Sequence, residues 1–364
     1  MNFEELGLRK VINASGRMSI LGVSTLHESV IEAMKLGGEH YVEMKELTEK
    51  AGARIAERLG TEAAMAVNSA SSGIALSVAG VISKGNSYIA EKLYDYREEL
   101  PNEILIQKGH NVDYGAPVET MVKLGGGSLK EAGYSNGCSL EQFKGAITPK
   151  TAAVLYVKSH HCVQKNMLSA QQVKEICEAH HIPLIIDAAA EENVTKYAKV
   201  ADLVIYSGSK ALEGPTSGIV AGKEQYVSYL YPHMKGIGRA MKIGKEAIFG
   251  LLQALENYKE DEDTAEDQQK CVAALRVLNE IDGVRVSIVQ DEGGRPIYRG
   301  RVQIDSLQTK QTALQVVEKL KAGEIAIYTR DYYANVGYFE IDPRPLRSGD
   351  MEIIVSKLQQ IVGG

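Results

Sequence analysis

The chain has 364 residues, a hydrophobic fraction of 44% and a formal net charge of −6. That length calls for two or three structural units, and the acidic balance argues against a protein that coats nucleic acid, which needs a strong basic excess. Four cysteines (Cys138, Cys162, Cys177 and Cys271) with no C-x-x-C pair are too few for a disulfide framework and point to a reducing, cytoplasmic setting.

The opening residues Asn2 to Glu5 are polar and acidic, unlike a signal peptide. A loop is expected over Asn13-Ala14-Ser15-Gly16-Arg17. A helix is expected over Glu43 to Leu59, where Leu47, Ala51, Ile55 and Leu59 recur every four residues. Asn68 and several serines interrupt the weakly polar run from Ala63 to Ser83, so it does not read as a membrane span.

Short apolar runs then alternate with helical stretches. The runs are Ala64 to Val67, Ile104 to Ile106, Val154 to Val157, Leu184 to Ile186 and Leu203 to Tyr206. Each is apolar on both parities, as strands covered on both faces are. Between two of them, Ala170, Val173, Ile176, Cys177 and His180 fall at helical spacing. The alternation predicts a largely parallel sheet with helices on both sides. A long helix is expected from Lys245. The acidic run Glu260-Asp261-Glu262-Asp263 reads as a solvated face or turn. After it come helices over Cys271 to Ile281, Thr312 to Leu320 and Met351 to Ile361, and strands over Val284 to Val289, Arg301 to Ile304 and Ile325 to Tyr328. The chain therefore divides into an N-terminal arm and helix (1–60), a large domain (61–245) and a small α+β C-terminal domain (246–364).

Three pieces carry chemistry. In Tyr206-Ser207-Gly208-Ser209-Lys210, a lysine sits just past a buried strand in a loop of small residues. Shielded there, it can lose its proton and form an imine, although a lysine after a strand is also a common surface feature. In Leu184-Ile185-Ile186-Asp187, an acid ends an apolar strand and needs a partner. The protonated ring nitrogen of pyridoxal 5'-phosphate (PLP) would be one; a helix cap or a metal ligand are the plainer readings. In Asn68-Ser69-Ala70-Ser71-Ser72-Gly73, a polar turn opens an apolar helix. Its free N–H groups and hydroxyls suit a phosphate, and simple N-capping accounts for it equally well.

The order phosphate turn, strand-end Asp187, strand-end Lys210 resembles the large domain of the fold-type I PLP enzymes, the aspartate aminotransferase fold. Val11-Ile12-Asn13-Ala14-Ser15-Gly16, the run Ser207 to Pro215 and Gly238-Arg239-Ala240-Met241-Lys242 resemble the selenocysteine synthase (L-seryl-tRNA selenium transferase) family over nearly the whole chain. Within it, Asn13 to Ser24 and Gln107 to Ala116 are most similar to its ammonia-lyases of phosphorylated amino-sugar acids. The resemblance implies an α/β architecture with a mostly parallel seven-stranded sheet and a small C-terminal domain. It also implies PLP held on Lys210 and a homodimer or larger homo-oligomer. The implied reaction is a dehydrating deamination of D-glucosaminate 6-phosphate. Selenium transfer on seryl-tRNA, or another PLP reaction of a small amino acid, is the alternative.

Site residues follow from the same resemblance. Ser69, Ala70, Ser71, Ser207 and Arg239 would hold the cofactor, His110 would stack on its ring, and Arg344 (with Arg347 in reserve) would fork the substrate carboxylate. His160 and His161, at a strand's carboxyl end, suit substrate contact better than zinc, because no carboxylate or cysteine pair completes a tetrahedral set. His180 and His181 read as structural. Arg17, Arg239, Lys242 and Lys245 suit either the cofactor phosphate or a substrate phosphate. Gly125-Gly126-Gly127 and Gly218 to Lys223 lack the spacing of dinucleotide or nucleoside-triphosphate loops. No metal, nucleic-acid or membrane partner is expected.

Overall fold

The computed structural model describes residues 2–3, 5–259, 264–292 and 294–363; the acidic run 260–263 lies outside them. Among these residues the strands are β1 (Lys10–Ala14), β2 (Ala63–Val67), β3 (Glu103–Gln107), β4 (Ser128–Ala132), β5 (Thr151–Val157), β6 (Leu184–Asp187), β7 (Leu203–Ser207), β8 (Gly218–Gly222), β9 (Val284–Gln290), β10 (Tyr298–Ile304), β11 (Ile325–Thr329) and β12 (Tyr338–Ile341). The chain forms two compact units, one of residues 26–260 and one of residues 1–25 with 261–364.

In the larger unit a seven-stranded sheet runs in the order β2-β8-β7-β6-β5-β3-β4. All its pairings are parallel except those of β8, which is antiparallel to both neighbours. Apolar side chains of both parities find a partner layer. On one face, α3 (Ala70–Ser83) brings Ile74 and Leu76 against Leu155, Ile185 and Ile205. α3 is buried from Ser72 to Ser83, and its sequence is accordingly apolar on all sides. On the other face, α2 (Met44–Leu59) and the helices Ala170–Ala179 and Lys245–Asn257 cover Tyr156, Ile186 and Val204. Each buried Ile, Leu or Val contributes roughly 1.5–3 kcal/mol, so this two-sided burial fixes the strand ends as a rigid platform.

The unit boundaries fall elsewhere than at 60/61 and 245/246. α1 (Glu28–Glu39) and α2 pack against the Lys245–Asn257 helix, and α2 also packs on β2, so those helices belong with the large sheet. In contrast, Asn13 and Ala14, expected in a loop, end strand β1. It pairs in parallel with β11, Lys10 opposite Ile325 and Ala14 opposite Thr329. The smaller unit adds a β12-β10-β9 antiparallel sheet and a core that includes Ile12, Val302, Val316, Phe339 and Ile354. The helix expected over Cys271 to Ile281 is α-helical only over Ala265–Ala273 and tightens into a 3-10 helix over Ala274–Glu280. Among the described residues no helix is long and apolar enough to cross a membrane.

Candidate active site

Register alone gathers the three sequence pieces. Val67 pairs with Gly218, and Gly218 pairs with Ser207, so the turn after β2 and the loop after β7 lie at one sheet edge. Asp187 pairs with Ile205 on β7 and with Val157 on β5, at the same edge. These are the carboxyl ends of the parallel strands, where open α/β sheets bind ligands.

Lys210 lies in the connection between antiparallel β7 and β8. Three backbone bonds shape this loop: Gly208 N–H to Ser217 O at 2.9 Å, Gly214 N–H to Gly208 O at 2.8 Å and Glu213 N–H to Lys210 O at 3.1 Å. Glu213 takes a left-handed φ of 51°, a strained choice for a side-chain-bearing residue, and such strain concentrates at functional loops. Gly208 is required here because a Cβ would meet Ser217 Oγ at 2.0 Å. The Ser207 and Ser209 hydroxyls, just before Lys210 in the chain, lie 3.3 Å apart.

Asp187 is 7% exposed. Its Oδ1 accepts one hydrogen bond, from Ala189 N–H at 3.0 Å. Burial pushes its carboxyl pKa upward, opposed by that hydrogen bond and by the Lys210 charge. A buried carboxylate with a single donor has acceptor capacity left over, and a protonated ring nitrogen would fill it. The donor set therefore fits PLP.

The turn before α3 is built by four polar side chains, those of Asn68, Ser69, Ser71 and Ser72. Ser69 caps the helix, its Oγ accepting from Ser72 N–H at 3.1 Å and lying 2.8 Å from Ser72 Oγ. Ser72 Oγ in turn donates to Asn68 Oδ1. Ser71 Oγ lies 3.1 Å from Tyr114 OH. Asn68 opens the turn read from sequence but was given no role of its own, and Tyr114 is joined to the turn only by the fold. The hydroxyls and the first N–H groups of α3 are donors of the kind a phosphate dianion would take. Gly218 lets β8 run beneath this turn, because a Cβ there would sit 2.5 Å from Ser69 C and 2.7 Å from Ala70 N. Gly218→Ala is expected to cost about 1–3 kcal/mol of folding stability and to weaken PLP retention. Denaturant titration and equilibrium dialysis would measure the two effects.

His110 follows β3 and is fully buried. Its ring meets Tyr156 edge-on at 4.6 Å, and among the described residues neither ring nitrogen has a hydrogen-bond partner. Burial, with a smaller push from the Lys158 charge, lowers its pKa to about 4. Burial does the same to His233. Both bind fewer protons folded than unfolded between about pH 6.5 and pH 4. Their contribution is therefore intact above pH 6.5 and lost as pH falls through that window, on the order of 3 kcal/mol each at most. Asp187, displaced upward, acts in the opposite sense. Urea midpoints should fall between pH 7 and pH 4.5, and fall less in His110→Asn; an unchanged midpoint over that range would refute the assignment.

The remaining candidates lie as follows. Arg239 is exposed on the 3-10 turn Ile237–Met241. His160 is half-buried, His161 is exposed, and their rings are 3.9 Å apart. Lys245 is not directed at a phosphate: its Nζ donates to Gly37 O and to Gly38 O, the latter at 2.9 Å, closing the C-terminal end of α1. In the smaller unit, half-buried Arg17 follows β1. Arg344 grips Asp342 by two bonds, Nε to Oδ1 at 2.9 Å and Nη2 to Oδ2 at 2.7 Å. Its fork thus engages a carboxylate of its own chain.

The chain is 43% identical to a D-glucosaminate-6-phosphate ammonia lyase of Salmonella typhimurium, over 99% of this chain and 97% of that one. A solved structure of D-glucosaminate-6-phosphate ammonia-lyase superposes with a TM-score of 0.91 over 99% of this chain and 98% of that chain. A 5'-C-glycyluridine monooxygenase-decarboxylase of Streptomyces is 36% identical over all of this chain and 92% of its own length. Aspartate aminotransferase of Thermotoga maritima, 14% identical, matches with a TM-score of 0.56 over 100% of this chain and 94% of that one; this likeness is of fold, and the larger unit has that α/β architecture. The sequence profile of L-seryl-tRNA selenium transferase matches residues 11–287, a span that holds Ser69, His110, Asp187 and Lys210, and on that match the chain belongs to the L-seryl-tRNA selenium transferase family.

Proposed function

We propose that this protein is a PLP-dependent ammonia-lyase of phosphorylated amino-sugar acids, converting D-glucosaminate 6-phosphate to 2-keto-3-deoxygluconate 6-phosphate and ammonia. The observation that carries the reading is the full-length 43% identity to an enzyme of that name. The buried Asp187 beside Lys210 and the serine turn at the same sheet edge agree with it.

Bound there, PLP supplies an electron sink for negative charge at the amino-bearing carbon. Asp187 holds the proton on the ring nitrogen. The Lys210 amine would anchor the cofactor and, when free, would be the base that takes the C2 proton. The Ser69–Ser72 turn, with Ser207, would hold the phosphate end, and His110 would back the cofactor ring. The C3 hydroxyl leaves as water and water later enters at C2, so the overall change is substrate to keto acid plus ammonia. The protein works in the cytoplasm as a homodimer or larger homo-oligomer.

Incubation of the PLP-loaded protein with D-glucosaminate 6-phosphate should release ammonia and 2-keto acid in equal amounts. A transferred amine without ammonia would mean transamination. The 36% identity to the glycyluridine enzyme supports a second reading, tested by oxygen uptake and carbon dioxide release with 5'-C-glycyluridine. Retention of seryl-tRNA on a filter at stated salt would favour selenium transfer.

A further inference from the structure

The smaller unit holds a concentration of charge with no role so far. Among the described residues, five arginines and three carboxylates form a patch of two groups, Arg295, Arg299 and Arg344 on Asp291 and Asp342, and Arg301 and Arg330 on Glu340. Four of the five guanidiniums donate hydrogen bonds within it. Arg295 and Arg299 both donate to Asp291, Arg299 and Arg344 to Asp342, and Arg301 to Glu340 at 2.7 Å.

Arg330 differs. Its nearest carboxylate oxygen is Glu340 Oε2 at 3.8 Å, beyond hydrogen-bond length, and Glu340 is already held by Arg301. The Arg330 side chain keeps 16% of its exposure, and its guanidinium lies over the Tyr332 ring, 4.9 Å from the centroid. Burial, followed by the charge of Arg299, lowers its pKa, as expected of a half-buried cation short of an anion. The fold holds it firmly: Arg330 and Glu340 exchange both backbone hydrogen bonds, at 2.8 and 2.9 Å. Thr329 before it is paired with Ala14. The loop after β1 reaches the same tyrosine: Met18 Sδ receives the Ser15 hydroxyl at 2.9 Å and meets Tyr332 OH at 4.0 Å.

Arg301 and Arg330 share the carboxylate of Glu340, and the charge of Arg299 adds to the positive field at Arg330. That field favours a doubly charged anion such as a phosphate monoester, which a planar guanidinium binds through paired N–H donors. We propose that Arg330 is the centre of an anion site, beside Tyr332 and Met18, for a phosphate monoester. The site stands on the smaller unit's own geometry; identifying its occupant as the substrate's phosphate rests on the ammonia-lyase reading.

The test is calorimetric titration of the PLP-loaded protein, in which the cofactor's phosphate already fills the Ser69–Ser72 turn. Inorganic phosphate, D-glucosaminate 6-phosphate and D-glucosaminate are each titrated into wild type, Arg330→Gln and Arg330→Lys. Phosphate affinity is expected to fall at least ~10-fold in Arg330→Gln and by less in Arg330→Lys, which keeps the charge without the fork. Should Arg330→Gln not fold, a loss of about 3-fold or more in Arg330→Lys carries the same meaning. A selective loss for the phosphorylated sugar acid assigns the site to the substrate. Loss of phosphate binding with equal affinities for the two sugar acids supports the site but assigns it to a separate phosphate ligand. Unchanged phosphate affinity in both variants overturns the proposal. The inorganic phosphate arm reads the site even if no amino-sugar acid is turned over.

Discussion

Lys210→Ala is expected to remove the visible absorption of the lysine imine and to lower turnover of D-glucosaminate 6-phosphate by at least roughly 10²–10⁴-fold, the usual worth of a positioned proton-transfer group. The loop is closed by backbone bonds from Gly208, Glu213 and Gly214, none of which needs the lysine side chain, so the fold should survive. Reduction with borohydride followed by peptide mapping gives the decisive comparison. In wild type the reduced adduct should lie on the peptide holding residue 210; in the variant it should be missing. A lysine-imine band that persisted in the variant would move the cofactor to another lysine and dismantle the site.

The second large effect is expected at Asp187. Asp187→Asn keeps the shape and the Ala189 contact but discards the charge. Losing one preorganised electrostatic partner costs roughly 10²–10³-fold in kcat. Stability should respond differently. Burial drives the Asp187 pKa upward and, among the described residues, one hydrogen bond meets the carboxylate, so without cofactor the charge is a burden on the fold. The cofactor-free variant should therefore unfold at the same or a higher denaturant concentration than cofactor-free wild type. A variant that loses activity and stability together would mark Asp187 as structural.

The large sheet was legible in sequence because its strands are buried on both faces and read as short runs without polar interruption. Five of its seven strands stand within a few residues of those runs. β4 was missed because Lys130 and Glu131 break the apolar pattern at a sheet edge. β8 was missed because Gly218-Ile219-Val220-Ala221-Gly222 carries little bulk and begins at a glycine demanded by the neighbouring turn. β1 was hidden for another reason: it is a two-strand partner of a segment more than 300 residues away, and local pattern says nothing about such pairing. Asp187, Lys210 and Ser69 were legible because each stands where an apolar run ends in a chemically abrupt way. Arg330 was not, since its shortage of anions appears only once Arg301 and Glu340 are seen to pair. Arg344 was visible as a cation, but its attachment to Asp342, two residues back, was not anticipated.

The pairing of β1 with β11 also bears on how the protein is made. Residues 26–260 can fold as soon as they leave the ribosome, because the large sheet needs nothing beyond them. β1 emerges first yet has no partner until Ile325–Thr329 is synthesised. At roughly 5–20 residues per second this interval is on the order of tens of seconds. Throughout it, Val11 and Ile12 belong to an unpaired apolar strand tethered to a folding domain. A nascent chain stalled just after residue 260 should hold a protease-resistant large unit, with a leader through Thr25 that is still open to cleavage.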